Sequence, residues 1–414
     1  MPENIKKGTF INFIAYTLSG LFLFLFKIIA ARGLGPAKFG IISVFWASIL
    51  VTARFLTTGI KDGATRYIAH YEAVNDKDGM TKTFLVHLKF MILITLFFLF
   101  ISLLLFKIIT DNLFFGYVSL YIFFITSCIL YFSLLFLRGT LQGLRELKDS
   151  AISIIVEYSV MVLSLIIFFS FVKDVRLAGL SILLAPFSSL LFILFIARKH
   201  RKRFSVEPSL LPKTKTLLFF VIPTSFINFS SGFITQLGPL FIKFLGNFSL
   251  AGIFTVSLDI FKAARTALTA LFISIFPHLS RQEALKNRKM LDRMIREGLI
   301  FVSLAFIILI IVSLTIGQTI IRIIFGEEFV LDKIHLFLMS LFTGFFLLSE
   351  LFNRVLLAKS MIKELTISWL IAFGFLFIIL FFIPLGPLFR VELALLGAGV
   401  VAFIGMSIFL LTRK

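Results

Sequence analysis

The apolar run 251–276 contains Asp259, Lys262 and Arg265. Charged groups in hydrocarbon are costly, so they face a partner, the bundle interior or a wet cavity. On a helix, Asp259 and Lys262 are three apart and can pair. The same spacing gives Arg265 no acid of its own in that helix. Arg and Lys suit phosphate, the first as a planar fork and the second as a point charge. The chemistry implied is anion binding. Other ionisable residues interrupt other apolar runs: Lys27 in 9–31, Arg54 in 39–60, Glu157 in 151–172, and Glu350 with Arg354 in 335–357. Lys27, Arg54 and Glu157 are close enough to the ends of their runs to snorkel to the interface. Glu350 and Arg354, four apart, can neutralise each other.

Most catalytic patterns are missing. There is no Gly-Lys dipeptide, hence no phosphate loop of the Walker type. His70, His87, His200, His278 and His335 are scattered without metal-ligand spacing, so neither a metal nor a cofactor is expected. Asp76-Lys77-Asp78 imitates the acidic pair of metal-dependent glycosyltransferases, but it sits in a short polar stretch and reads as a solvated loop. No soluble catalytic domain fits in the short loops, and the chain is read as a non-enzyme.

The elements that carry these charges are membrane spans. Of 414 residues, 59% are hydrophobic and 15% charged, with one cysteine, Cys128. Mean hydropathy is +1.06. A spanning helix needs about 20 apolar residues, and twelve runs qualify: 9–31, 39–60, 84–106, 117–137, 151–172, 177–197, 217–241, 251–276, 299–316, 335–357, 366–385 and 393–411. The runs are continuous rather than alternating, which excludes a β-barrel. The fold class expected is an all-α polytopic membrane protein.

The net charge of +20 then acquires a location. With both termini cytoplasmic, the cytoplasmic pieces hold 27 Lys and Arg, the outer pieces 9 and the spans 5. The positive-inside rule favours that orientation. Most of the basicity is topology, and nucleic-acid binding is not expected.

The chain also repeats itself. Phe10–Phe13 and Phe226–Phe229 both read FINF, and Ser19-Gly20 matches Ser231-Gly232. Leu34–Val44 matches Leu245–Val256 with one insertion; Lys107-Ile108-Ile109 resembles Arg322-Ile323-Ile324, and Phe136-Leu137-Arg138 resembles Phe352-Asn353-Arg354. The order is kept at a nearly constant offset of 211 to 216 residues. The organisation expected is a six-helix lobe over 1–197, a basic cytoplasmic linker over 198–216 and a second six-helix lobe over 217–414. Parallel repeats of this kind suit a transporter. Arg54 and Arg265 fall at related positions, 14 residues after Gly40 and 13 after Gly252, so each copy sends an arginine toward a cationic, wet cavity. Pro186, Pro223, Gly232 and Gly238-Pro239 mark broken or bent spans of the kind that line such cavities.

The stretches ARGLGPAKFGIISVF (31–45), GIKDGATRYIAHYE (59–72), LRGTLQGLRELKDSAI (137–152), 245–281 and IIFGEEF (323–329) resemble the O-antigen-type polysaccharide biosynthesis flippases. These belong to the multidrug/oligosaccharidyl-lipid/polysaccharide exporter superfamily. The similarity runs to about residue 330. It implies a MATE-like fold, two six-helix lobes in a V around a central cavity, and transfer of a polyprenyl-diphosphate-linked oligosaccharide to the outer leaflet. It implies cavity cations at Arg54, Lys262 and Arg265, with Arg66 at the cytoplasmic mouth and Lys27 nearer the outside. Asp259, Glu350 and Arg354 remain as cavity acids or ion-pair partners. Twelve spans rather than fourteen, and no aspartate in span 1, favour this branch over lipid II flippases and cation-coupled multidrug exporters, which stand as the alternatives. The partners expected are the lipid-linked oligosaccharide, the bilayer of the plasma membrane, and glycan polymerase or ligase proteins, with the chain itself a monomer.

Overall fold

The structure, a computed structural model, describes residues 3–200, 203–204, 232–234, 236–285, 287–359 and 361–412, with side chains for all of these but 3–13, 264, 266–267, 269–278, 280–281 and 284. The repeat copy at Phe226–Phe229, Pro223, Ser231 and most of the basic linker lie outside the described residues.

The described elements are helical. In chain order they are α1 (Glu3–Ala73), α2 (Lys77–Leu104), α3 (Phe106–Leu113), α4 (Val118–Gly143), α5 (Leu147–Phe171), α6 (Val175–His200), α7 (Gly238–Leu245), α8 (Phe248–Ala284), α9 (Arg288–Thr315), α10 (Gly317–Ile324), a 3₁₀ turn (Glu327–Phe329), α11 (Lys333–Ala358), α12 (Ile362–Phe382) and α13 (Pro387–Thr412). Among the described residues, nine helices are long and apolar enough to cross a membrane. The chain is thus an all-α multi-pass membrane protein.

Two connections between apolar runs are largely helical. The spans 9–31 and 39–60 are joined in α1, where the only break is Gly35 at φ 72 and ψ 173, followed by Pro36. Glycine reaches that conformation without a Cβ penalty, and proline cannot donate the helical bond at the next position. The result is a kink, and not a polar connection over 32–38. The polar stretch 61–83 is likewise mostly helix: α1 runs to Ala73 and α2 begins at Lys77. Asp76 caps α2 by accepting a 2.8 Å hydrogen bond from the Gly79 amide, and Asp78 pairs with Lys82 at 2.7 Å. Both acids of the glycosyltransferase-like tripeptide are therefore spent on a helix start.

The duplication reappears in the element lengths. Helices of 28, 8 and 26 residues (α2, α3, α4) recur in that order as α9, α10 and α11. Asn287 caps α9 through the Met290 amide, as Asp76 caps α2. Burial follows the same pairing. In their most apolar stretch α2 and α9 bury 17% and 11% of residues, whereas α4 and α11 bury 50% and 72%. The first pair presents leucine, isoleucine and phenylalanine outward, such as Phe97, Phe100, Ile307 and Ile308, as lipid contact permits. The second pair forms the packed interior.

The chain divides into two compact units, Met1–Leu34 with Val44–Gly232 and Gly35–Ser43 with Phe233–Lys414. In the first, Phe45, Phe114, Phe132 and Phe136 are fully buried, and Phe114 meets Phe45 and Phe124 at 5.6 and 5.4 Å between ring centroids. In the second, Phe254, Phe325, Phe329 and Trp369 occupy the interior. The segment after the kink belongs to this unit: Phe39 packs edge-on against Phe329 at 6.0 Å.

Candidate cation sites and a buried ion-pair network

The second unit gathers the charges of α8 and α11. Asp259 is buried, and Lys262 Nζ stands 3.8 Å from its Oδ1. This is the i,i+3 pairing the sequence suggested, held at ion-pair rather than hydrogen-bond distance. Arg265, one further turn along, places its Cζ 4.9 Å from the ring centroid of Phe346 on α11. That is cation–π geometry. Phe346, Glu350 and Arg354 recur every four residues and so share a face of α11. Glu350 accepts a 3.1 Å hydrogen bond from Arg354 Nη2, as their spacing allows. Thus α8 and α11 carry an acid–lysine pair, an arginine on an aromatic face and an acid–arginine pair.

In the first unit Arg54 lies on the second arm of α1 and is exposed. Its Nη1 stands 3.0 Å from where a Cβ on Gly232 would be. The absence of a side chain at Gly232 leaves the guanidinium its space. Tyr158 of α5 is its electrostatic neighbour. Arg66 is exposed, with its Cζ 5.9 Å from the Tyr67 ring. It follows Arg54 by twelve residues, so about 18 Å of helix separates them. Lys27 is half-buried on the other arm of α1, before the kink. The structure brings Arg265 to Phe346 and Arg54 to Gly232. It sets Arg66 well apart from Arg54 along the same arm of α1.

Glu157 corrects the sequence reading. It does not snorkel: it is 1% exposed. Arg138 Nη2 lies 2.6 Å from Glu157 Oε2, and the Tyr131 hydroxyl donates to Oε1 at 2.6 Å. Arg138 also donates to Ser153 Oγ and to Ser189 Oγ, each at 2.9 Å. Ser189 in turn donates to the Ser153 carbonyl at 2.8 Å. One arginine therefore ties α4, α5 and α6 together. A charge is tolerated there because its donors meet acceptors. Hydropathy had set Arg138 one residue outside its span. A signal was present nonetheless: Ser153 and Glu157 are four apart on one face of an apolar helix, which calls for a cationic partner.

A second cluster also escaped the spacing argument. Glu146, Asp149 and His200 bring one ligand atom each to within 4.8 Å of one another. Distance in sequence hid this, since His200 closes α6 while the acids open α5. The cluster is poorly suited to a metal. Arg203 already occupies Glu146 Oε1 at 2.7 Å, and the two ring nitrogens of His200 face different carboxylates at 3.7 and 3.3 Å. It is arranged as a polar latch between the start of α5 and the end of α6.

The family model described as polysaccharide biosynthesis protein matches residues 5–283. No curated protein matches the sequence. Among solved structures, an inward-facing multidrug resistance MATE family transporter of the MOP superfamily is similar at a TM-score of 0.75 and 14% identity, over 98% of this chain and 100% of that one. An outward-facing MATE family transporter of the same superfamily is similar at 0.62 and 17%, over 99% and 97%. MATE in a bent conformation is similar at 0.65 and 14%, over 98% and 96%. At these identities the likeness speaks for the fold, and the family model speaks for the lineage. The chain belongs to the polysaccharide biosynthesis protein family and has the fold of MATE transporters.

Proposed function

We propose that the protein is a flippase for a polyprenyl-diphosphate-linked oligosaccharide. It moves its substrate from the cytoplasmic to the outer leaflet of the plasma membrane by alternating access, with both termini cytoplasmic. The observation that supports this most is the placement of cations in apolar helices: Arg54 in one unit and Arg265 in the other at duplicated positions, with Lys262 three residues before Arg265. Diphosphate is the lipid headgroup chemistry that such cations match. The glycan needs a wet path, and the prenyl tail stays in lipid. The basic cytoplasmic pieces attract the anionic headgroup to the entry side. Glycan polymerase or ligase proteins would take up the product.

The test is complementation of a flippase-deficient glycan pathway by wild type and by Arg54→Ala, Lys262→Ala and Arg265→Ala. Each variant is expected to lose most of the rescue. Full rescue by all three at normal expression would overturn the cationic-site reading.

A second reading is an ion-coupled multidrug exporter, supported by the solved neighbours described as multidrug resistance transporters. It needs a titratable acid near the cations, and Asp259 is buried beside Lys262. Loss of drug resistance in Asp259→Asn with glycan export intact would select it.

A further inference from the structure

His335 and Glu392 form a buried pair that the cation sites do not use. His335 lies in the first turn of α11 and Glu392 near the start of α13. Their Nδ1 and Oε2 atoms are 2.7 Å apart, and the imidazole packs on Phe389 at 4.5 Å. The side chains are 11% and 1% exposed.

The other carboxylate oxygen decides the protonation state. Glu392 Oε1 is buried and, among the described residues, has no hydrogen-bond partner. Glu392 also lines a seam between α8, α11 and α13, together with Phe254, Leu258, Leu338, Met339, Phe342 and Leu395. About 160 Å³ of interatomic space lies along the seam, none of it wide enough to hold a water molecule. An ionised carboxylate would keep half its charge on this buried oxygen without a donor among the described residues, which is the costlier arrangement. A neutral carboxyl that donates its Oε2 proton to Nδ1 leaves only a carbonyl oxygen there.

Asp332, the N-cap of α11, is the other group acting electrostatically on His335. Lys333 follows it in sequence. Arg390 precedes Glu392 by two residues, about 200° around α13. The charges nearest in sequence to the seam residues of α8 are Asp259 and Lys262, while α7 carries Lys243 and α12 carries Lys363 and Glu364 at its opening turn.

We propose that His335 and Glu392 are a proton-binding site, loaded while α11 and α13 are packed as in this structure and emptied when these helices separate. On emptying, the Glu392 Oε2 proton passes to Nδ1, and the imidazolium releases its Nε2 proton to water. Glu392 is left as a carboxylate, which then needs water at Oε1, and the packed helices leave no room for one beside it. Proton exchange is thereby tied to helix motion. The inference concerns α11 and α13 alone and is independent of the identity of the cargo.

Infrared difference spectroscopy on the purified full chain, without any glycan, reads this directly. Near pH 7, where ordinary carboxylates with a pKa of about 4 are ionised, wild type is expected to show a protonated-carboxyl stretch. Glu392→Gln should remove it and His335→Gln should shift its frequency. Glu392→Asp should shift it too and serves as the reporter if the glutamine variant does not fold. Absence of the band in wild type, or a band that none of the three substitutions alters, overturns the proposal and leaves a static ion pair. Because no cargo is present, failure here is separate from failure of the flippase reading.

Discussion

Gly40 and Gly252, the two copies of one position in the duplication, pack backbone against backbone within the second unit. A Cβ on Gly40 would overlap the carbonyl oxygen of Phe248 and lie 3.1 Å from the Gly252 amide nitrogen; a Cβ on Gly252 would overlap the Pro36 carbonyl oxygen. Small residues permit this close approach between membrane helices, where packing rather than water drives association. Gly40→Ala and Gly252→Ala are each expected to destabilise by about 1–3 kcal/mol or more. Among the described residues Gly374 has no heavy atom within 4 Å of such a Cβ, so Gly374→Ala should be neutral or stabilising by up to about 1 kcal/mol. Thermal melting in detergent separates these outcomes.

The Arg138–Glu157 pair makes a prediction about non-additivity. Glu157→Gln or Arg138→Met alone leaves a buried charge without its partner, at a cost of about 3–5 kcal/mol. The double substitution removes both charges and should recover much of that loss. A double-mutant cycle on melting stability checks it, and purely additive losses would refute the pairing as the source of the effect.

Arg265 on Phe346 separates charge from positioning. Phe346→Leu keeps the apolar bulk and removes the π face, worth about 0.5–2 kcal/mol. Export should fall in Phe346→Leu by less than in Arg265→Ala, and Arg265→Lys should retain part of it. Equal, complete loss in Phe346→Leu and Arg265→Ala would point to a packing defect instead.

The kink of α1 rests on Gly35 at φ 72. Any L side chain there is strained, so Gly35→Ala is expected to cost about 1–2 kcal/mol. Pro36→Ala restores an amide but not the backbone angle of its neighbour, and should be milder. Melting of the two variants against wild type gives the order.

Much of this was legible in the linear chain. Apolar runs of about 20 residues locate most spans, because a bilayer core fixes the length a helix must have. The i,i+3 and i,i+4 spacings of Asp259 with Lys262 and of Glu350 with Arg354 anticipated pairs that do form. The duplication was visible as matched words, and the helix lengths repeat it. Helix ends were less legible. Hydropathy does not fix where α1 ends in the polar segment 61–73, because a helix continues through polar residues once its backbone bonds are made.

The sequence by itself determined the class of the fold, the membrane setting and the repeat, since these follow from composition and periodicity. Tertiary structure alone decided which distant residues meet. Arg138 finds Glu157, Ser153 and Ser189, His200 finds Glu146 and Asp149, and His335 finds Glu392 across 57 residues. No local spacing encodes these meetings. A buried polar group must satisfy its hydrogen bonds, and which partner lies within reach depends on how the helices pack.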